Sequence, residues 1–598
     1  MLTPDHPEKI AVSDTSNASE NKPNVSLLWP PGLDDFTCKE IGQWGEHSAI
    51  DLGIGKIVNV LNLQSRHVSQ MQNILSALCY NPSVIFYRQN VLDDFLNCPG
   101  LAEEMEKLLD LLRQFERALF RIQKASSNFQ EIAGELSKME MYTECIQKLK
   151  SVFTQAGPAL HSEGLLLLRD IVTKIEAGEI FQVLVQELPE LRAKMQGLIS
   201  SITIGVNLDH DYRPVEATLL SINTRSFQGD ENSFFGRLLN LQKKKSEYQG
   251  IGQLHSVPFQ IMHGIELPDR QNPMMFPLFK DLDLVLQKVT GPIAAALAQY
   301  VQVNTSFLEK LGPEIVFYLG AVRLIQRLRA AGLPVCRPEI APAEKRMCEL
   351  EDFYNLELAL NLLDPDPYKE QDLSQEIVLN DVAFGSQGRI FILTGPNRGG
   401  KTTYTQGIGV AQILCQAGLY VPARKARISP VDGIFTHFPL EEKPDLNVGR
   451  LGEEAQRLNA IFQRITRHSL VLFNETLSAT SPGESLYLAR DLMQVLRKLG
   501  VRTVYATHLH ELAKTDVIND LPGDSLAISL VAGAVLGNGT SDEVKRTYKI
   551  IPSPATGFSY AKDIARRHGI SSEQLIDVLQ QRRCLLDADS SPSSVTQR

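Results

Sequence analysis

At 598 residues the chain is too long for one hydrophobic core, so several domains are expected. Its 43% hydrophobic content is that of an ordinary soluble protein, and a net charge of −10 argues against general adhesion to nucleic acid or anionic membrane while leaving room for a local basic groove. No apolar run approaches the ~18 residues of a membrane span, the N-terminus has no signal-peptide pattern, and the eight cysteines form no C-x-x-C pair, so neither a membrane, a zinc site nor a disulfide framework is predicted and the expected compartment is cytoplasmic.

Residues 1–25 are polar and rich in Ser, Asn, Asp and Pro, which predicts a disordered tail, and 586–598, with Ser590-Ser591-Pro592-Ser593-Ser594, predicts another. From Trp29 to Asp364 helical periodicity dominates. In Leu101–Leu112 apolar residues recur at helical spacing with charges on the other face, and the pattern returns at Phe115–Ile122, Leu165–Ile175, Leu278–Val301 and Ile315–Ala331. One interruption, Ser201–Ser226, has β-branched runs (Ile202–Val206 and Ala217–Ile222) flanking the turn-like Leu208–Pro214 and reads as a hairpin. His47, His67 and His161 stand alone and read as structural or surface histidines. Lys243-Lys244-Lys245 reads as a solvated helix face.

From about Leu373 strand and helix alternate. Strands are predicted at Arg389–Thr394, His468–Phe473 and Val501–Ala506, each followed by a helix, which implies an α/β domain with a largely parallel sheet and a ligand at the strands' C-terminal ends. Gly395, Asn474-Glu475 and Thr507-His508 fall at those ends. Gly395 to Thr402 spells G-x-x-x-x-G-K-T between a strand and a helix, the setting in which backbone N–H groups cradle phosphates and the helix N-terminus adds a favourable dipole. Gly395, Pro396, Asn397, Gly399, Gly400, Lys401, Thr402 and Thr403 are therefore assigned to a nucleotide. Lys401 reaches the β- and γ-phosphates and Thr402 offers its hydroxyl to Mg²⁺.

The apolar strand Leu470–Phe473 ends in Asn474-Glu475, as a Walker B strand ends in a polar pair, with Asn where Asp usually helps hold Mg²⁺. Glu475 is placed to polarise an attacking water, and His508 to sense the γ-phosphate or steer that water. His508 and His510 are not a strong metal-ligand pattern. Thr480–Ser485 contains a capping box, with Ser481 as N-cap, Pro482 at the first helical position and Glu484 three beyond the cap.

Taken together, Thr394–Thr403, Tyr420–Ala423, Asp432–Thr436, Ala506–Leu512, Tyr548–Ile550, Gly557–Tyr560 and Ile564-Ala565 resemble the ATPase domain of the MutS family. The likeness is dense over Leu373–Ile576 and loose over the helical half, where Asp51–Phe95 and Leu333–Glu339 are similar to the family's core-domain edges. It implies an ABC-type P-loop NTPase domain preceded by a mainly α-helical core and lever with a small β clamp. The division expected is 26–155 and 276–365 as the two parts of the core, 156–275 as lever and clamp, and 366–585 as the ATPase domain. It also implies a homodimer that holds two ATP molecules with Mg²⁺ between its ATPase domains, each site completed by the partner's signature loop at Gly449, Arg450 and Gly452. DNA, in repair or recombination, is the implied substrate.

The departures carry expectations too. Leu451-Gly452 stand where the family has Ser-Thr, Arg398 where it has Met, and Asn474 where it has Asp. Because the chain begins at the core domain, mismatch-reading and connector domains are expected to be missing, and structured or branched DNA is favoured over single mismatches. Asn474 weakens metal binding by one negative charge, so slow hydrolysis is expected, with Lys401, Glu475 and His508 as the catalytic set. The alternative is an ATP-switched clamp or scaffold acting on RNA or a protein partner.

Overall fold

The computed structural model of the protein describes residues 25–33, 42–62, 67–125, 128–196, 201–212, 214–226, 259–262, 265–268, 290–300, 303–363, 371–439, 450–478, 480–520, 523–536, 544–554 and 569–582. Residues 1–24 of the first tail, all of the second, Lys243–Lys245, Gly449, Gly557–Tyr560 and Ile564-Ala565 lie outside them. The chain separates into two units, one of residues 1–35, 61–71 and 90–322, the other of 36–60, 72–89 and 323–598.

The first unit follows its helical periodicity. Helix α1 (Leu101–Gln123) buries Leu101, Met105, Leu108, Leu109, Leu112, Phe115 and Ala118, one stripe at i, i+3 and i+4 spacing. Glu103 and Glu104 in its first turn and Arg121 in its last suit the helix dipole. It packs along α2 (Asn128–Ala156), where Gly134 allows close approach: a Cβ there would lie 2.7 Å from Ile122 Cγ1. The patterns at 165–175 and 315–331 fall in helices Glu163–Ala177 and Ser306–Ala330, the latter ending one residue short at Ala330. Of the expected helix Leu278–Val301 only 290–300 is described, helical to 298. The expected hairpin forms: Ser201–Leu208 pairs antiparallel with Pro214–Asn223. A second, Phe259–Met262 with Ile265–Pro268, was not legible because strands of four residues give too short an alternation to count.

The second unit is built on a seven-stranded sheet of β1 (Gln43–Trp44), β2 (Ile390–Thr394), β3 (Gly433–His437), β4 (Leu470–Asn474), β5 (Arg502–Ala506), β6 (Ala527–Leu536) and β7 (Val544–Pro552), in spatial order β1-β3-β4-β5-β2-β6-β7. All pairs are parallel except β6 with β7. The three predicted strands are β2, β4 and β5, displaced by one or two residues at their ends. Strands β2 to β5 are buried at every position, as continuous apolar runs in a parallel sheet require. One face packs Ile390, Ile392, Val471, Phe473 and Tyr505 with residues of α4 (Arg450–Phe462) and α5 (Pro482–Leu499). Helix α3 (Lys401–Gln416) packs against β4 and β5, and a Cβ at its Gly409 would lie 2.8 Å from Leu472 Cδ1.

A four-stranded sheet of Glu339–Ile340, Lys425–Ile428, Cys348–Phe353 and Asn380–Phe384 accompanies it. Arg502, at the start of β5, is fully buried and donates to the carbonyls of Met347, Ser429, Pro430 and His468 at 2.9–3.3 Å. Burial lowers its pKa to about 10. Among the described residues no helix is long and apolar enough to cross a membrane.

Candidate nucleotide site

Strand β2 is stiff and buried, and the chain must reverse sharply between Thr394 and α3. Gly395 has φ 143°, and a Cβ there would stand 2.6 Å from the Cβ of Ala532 on β6, so no side chain fits. Gly399 N donates to Pro396 O at 3.1 Å, closing a turn in which Arg398 adopts φ 58°, and Gly400 caps α3 at φ 92°. The loop therefore delivers backbone N–H groups and a helix N-terminus to one concave spot.

Lys401 is 5% exposed, with Nζ donating to the carbonyls of Gly395 at 3.1 Å and Pro396 at 3.3 Å. Burial lowers its pKa, an effect opposed by the Glu475 carboxylate. Thr402 Oγ1 donates to Asn474 Oδ1 at 3.3 Å, so the ends of β4 and the loop meet as the sequence predicts. Glu475 follows with φ 51°, its N–H bonded to Ala506 O, and His508 Nε2 lies 2.8 Å from its Oε1. That hydrogen bond holds the Glu475 carboxyl below the usual range, against the opposing effect of burial. Thus Lys401, Thr402, Asn474, Glu475 and His508 converge. A left-handed glutamate is strained, and strain of this kind collects at functional sites.

The conformation is held from beneath. Thr476 accepts a backbone-directed bond from Tyr505 Oη at its carbonyl (3.0 Å), and its Oγ1 lies 3.1 Å from His437 Nδ1. Burial, then the Arg457 guanidinium, pushes the pKa of His437 down to about 4, so the ring is neutral at ordinary pH. Thr436 Oγ1 donates to Asp51, whose carboxyl is raised by burial in spite of that bond.

A cavity of about 560 Å³ opens beside the loop, lined by Arg398 to Tyr404, Glu475 and Tyr548, and by Phe353, Tyr354, Asn355 and Leu358. Asn355 caps the helix Leu356–Leu362, accepting from Leu358 N, and donates to Thr403 O at 3.0 Å, which ties this wall to the start of α3. The Phe353 and Tyr404 rings lie 5.1 Å apart. Tyr548, with φ 55°, is brought over Gly400 by β7. Of this lining, Phe353, Tyr354 and Leu358 had no signal in the sequence, Asn355 before an apolar run is a possible helix cap, and Tyr548 entered only through the family resemblance.

Of the expected signature residues, Gly449 lies outside the described residues and Arg450 opens α4. Gly452 sits in the first turn of that helix, not on a loop, with Glu453 beside it favouring the helix start. Ser481 caps α5 as predicted, and Glu484 Oε2 accepts from the hydroxyls of Ser481 and Thr480.

Comparison with known proteins places both halves. A model of the MutS2 N-terminal domain matches residues 80–331, and a model of MutS domain V, a P-loop NTPase-type domain, matches 391–578. A DNA mismatch repair protein MutS of Chlorobium phaeobacteroides is 25% identical over 526 residues, 82% of this chain and 54% of that protein. An Endonuclease MutS2 of Thermus thermophilus is 30% identical over 204 residues, 34% of this chain and 26% of the relative. A second Endonuclease MutS2, of Lacticaseibacillus casei, is 27% identical over 300 residues, 50% of this chain and 35% of the relative. The chain thus spans about half the length of the MutS relative and about a third or less of the MutS2 proteins. Two models that share no residue of the sequence converge on one lineage: the chain belongs to the MutS family.

Proposed function

We propose that the chain is an ABC-type ATPase that binds and slowly hydrolyses ATP at sites shared between two copies, and that closure of the dimer clamps DNA. The observation that carries the reading is the convergence of Lys401, Thr402, Asn474, Glu475 and His508 at one end of the sheet, beside a cavity large enough for a nucleotide.

The residues present fit ATP with Mg²⁺. The glycine cradle admits no Cβ at Gly395, and Lys401 is a buried ammonium satisfied only by loop carbonyls, which it would exchange for phosphate oxygens. Thr402 and Asn474 would hold the metal, which would supply charge neutralisation for the phosphoryl group. Glu475 accepts a proton from the attacking water, His508 orients Glu475, and the apolar wall at Phe353 and Tyr354 excludes solvent. Gly449, Arg450 and Gly452 of the partner copy would complete the site. Regions 26–155 and 276–365 would act as core, and 156–275 as lever and clamp.

Structured or branched DNA in repair or recombination is the proposed substrate; of the relatives, one is named for DNA mismatch repair and another as an endonuclease. A second reading is an ATP-switched clamp that grips RNA or a protein; the hairpin tip favours a protein, since Asp209, Asp211 and Glu216 are acidic and Leu208, Tyr212 and Val215 are exposed there. A binding panel of duplex, mismatch, four-way junction, single strand and structured RNA, each with and without ATP, separates them. ATP-dependent preference for the junction is expected; equal, ATP-independent weakness for all five would discard the nucleic-acid clamp.

A further inference from the structure

The opposite ends of the same strands carry guanidinium groups that the nucleotide site does not use. Arg346, whose side chain is 8% exposed, donates through Nη1 to Gly500 O at 2.9 Å and through Nη2 to Asp524 Oδ2 at 2.8 Å. Arg467 sets its Nη2 3.1 Å from the same oxygen. Arg389, the residue before β2, donates from Nη1 to the Asp524 carbonyl at 3.3 Å, while its Nε is buried with no hydrogen-bond partner among the described residues. Five strand residues lie between Arg389 and Gly395, so six rises of about 3.3 Å put this cluster about 20 Å from the Gly395 turn.

Among the described residues, three guanidinium groups thus surround a single carboxylate, which leaves two positive charges without a close counter-charge. The strain of that imbalance registers on Arg389, which is held below its usual range by burial and then by the repulsion of Arg346. The arrangement is built rather than incidental. Gly500 has φ 67°, and a Cβ there would lie 2.5 Å from Asp524 Oδ2 and 2.7 Å from Arg346 Nη1. Arg346 itself holds a left-handed backbone at φ 49°. The site is open, with Asp524 45% and Arg467 54% exposed. Guanidinium forks match the planar, bidentate demands of phosphate and carboxylate better than any other side chain.

We propose that Arg346, Arg389 and Arg467 form a second anion site that takes a phosphate oxyanion, with the Asp524 carboxylate as its built-in competitor. In a chain of net charge −10 such a site gives local affinity for phosphate that the whole-molecule field opposes. The phosphate can come from a nucleic-acid backbone or from a free phosphate compound, and the two are separated by probe.

The test uses the full chain carrying Lys401→Ala, which disables the nucleotide loop, titrated with inorganic pyrophosphate and separately with a short single-stranded oligonucleotide. Asp524→Asn is expected to tighten binding about fivefold to tenfold, because one competing surface charge is gone while the arginines remain. Arg389→Gln with Arg467→Gln is expected to weaken it by about tenfold or more. A response to the oligonucleotide alone identifies the backbone as the source, and a response to pyrophosphate as well identifies phosphate in general. Binding that is absent for both probes, or unchanged by Asp524→Asn, overturns the proposal. The gain expected for Asp524→Asn cannot arise from misfolding, and it would stand or fall independently of the ATPase reading.

Discussion

Asn474 donates nothing to the loop and accepts from Thr402, the geometry a carboxylate would adopt there, so the substitution changes charge and leaves shape intact. Asn474→Asp is therefore expected to lower the Mg²⁺ concentration for half-maximal turnover by about tenfold, the scale of a metal-shell carboxylate, and to raise the steady-state ATPase rate. An unchanged rate in the variant would remove Asn474 from the account of slow hydrolysis. Glu475→Gln should retain ATP while turnover drops by about 10²–10⁴, read in a single-turnover experiment. His437 makes a prediction about pH. Its folded pKa of about 4 lies below the ordinary 6.5, so the unfolded chain takes up a proton that the native chain refuses. Stability from this residue is full above pH 6.5 and is lost as pH falls toward 4, on the order of 3 kcal/mol in total. In urea titrations at pH 7 and pH 5, His437→Gln should narrow the stability gap by on the order of 2 kcal/mol; a gap of the same width would mean the ring is not neutral and buried.

At the scale of elements, β2, β6 and α3 leave the turn at Gly395 room for a backbone and for nothing else. Gly395→Ala places a Cβ against Ala532 at a φ that side chains rarely adopt, so a cost of about 1–3 kcal/mol and a loss of ATP affinity of tenfold or more are expected from calorimetry and thermal melts. Native affinity in that variant would show that the loop opens away from β6. The loop was legible in sequence because its signals are local: an apolar strand, glycines at fixed offsets, a lysine and a helix. The capping box at Ser481 was legible for the same reason. By contrast Phe353, Tyr354 and Asn355 reach the site from a separate four-stranded sheet, and Tyr548 from an antiparallel edge strand, so no spacing in the chain connects them to Lys401.

At the scale of the whole molecule, a site completed by the partner copy, as proposed, would make nucleotide drive association. Glu475→Gln saturated with ATP and Mg²⁺ should double its mass in light scattering relative to the nucleotide-free protein, and dissociate when ATP is removed; a mass that ignores nucleotide would dismiss the shared site. What the amino-acid order determined alone was the class of chemistry: strand, phosphate loop, Lys401, Thr402, and the Asn474-Glu475 pair are written within short windows, and each window folds by local rules. Tertiary structure decided the rest. It strained Glu475 into the left-handed region by bonds from β5, brought Tyr548 and Asn355 to the cavity, neutralised His437, and gathered Arg346, Arg389 and Arg467 on Asp524 from positions far apart in sequence. Those outcomes depend on burial and on long-range sheet order, and neither burial nor strand order is a property of any local stretch of residues.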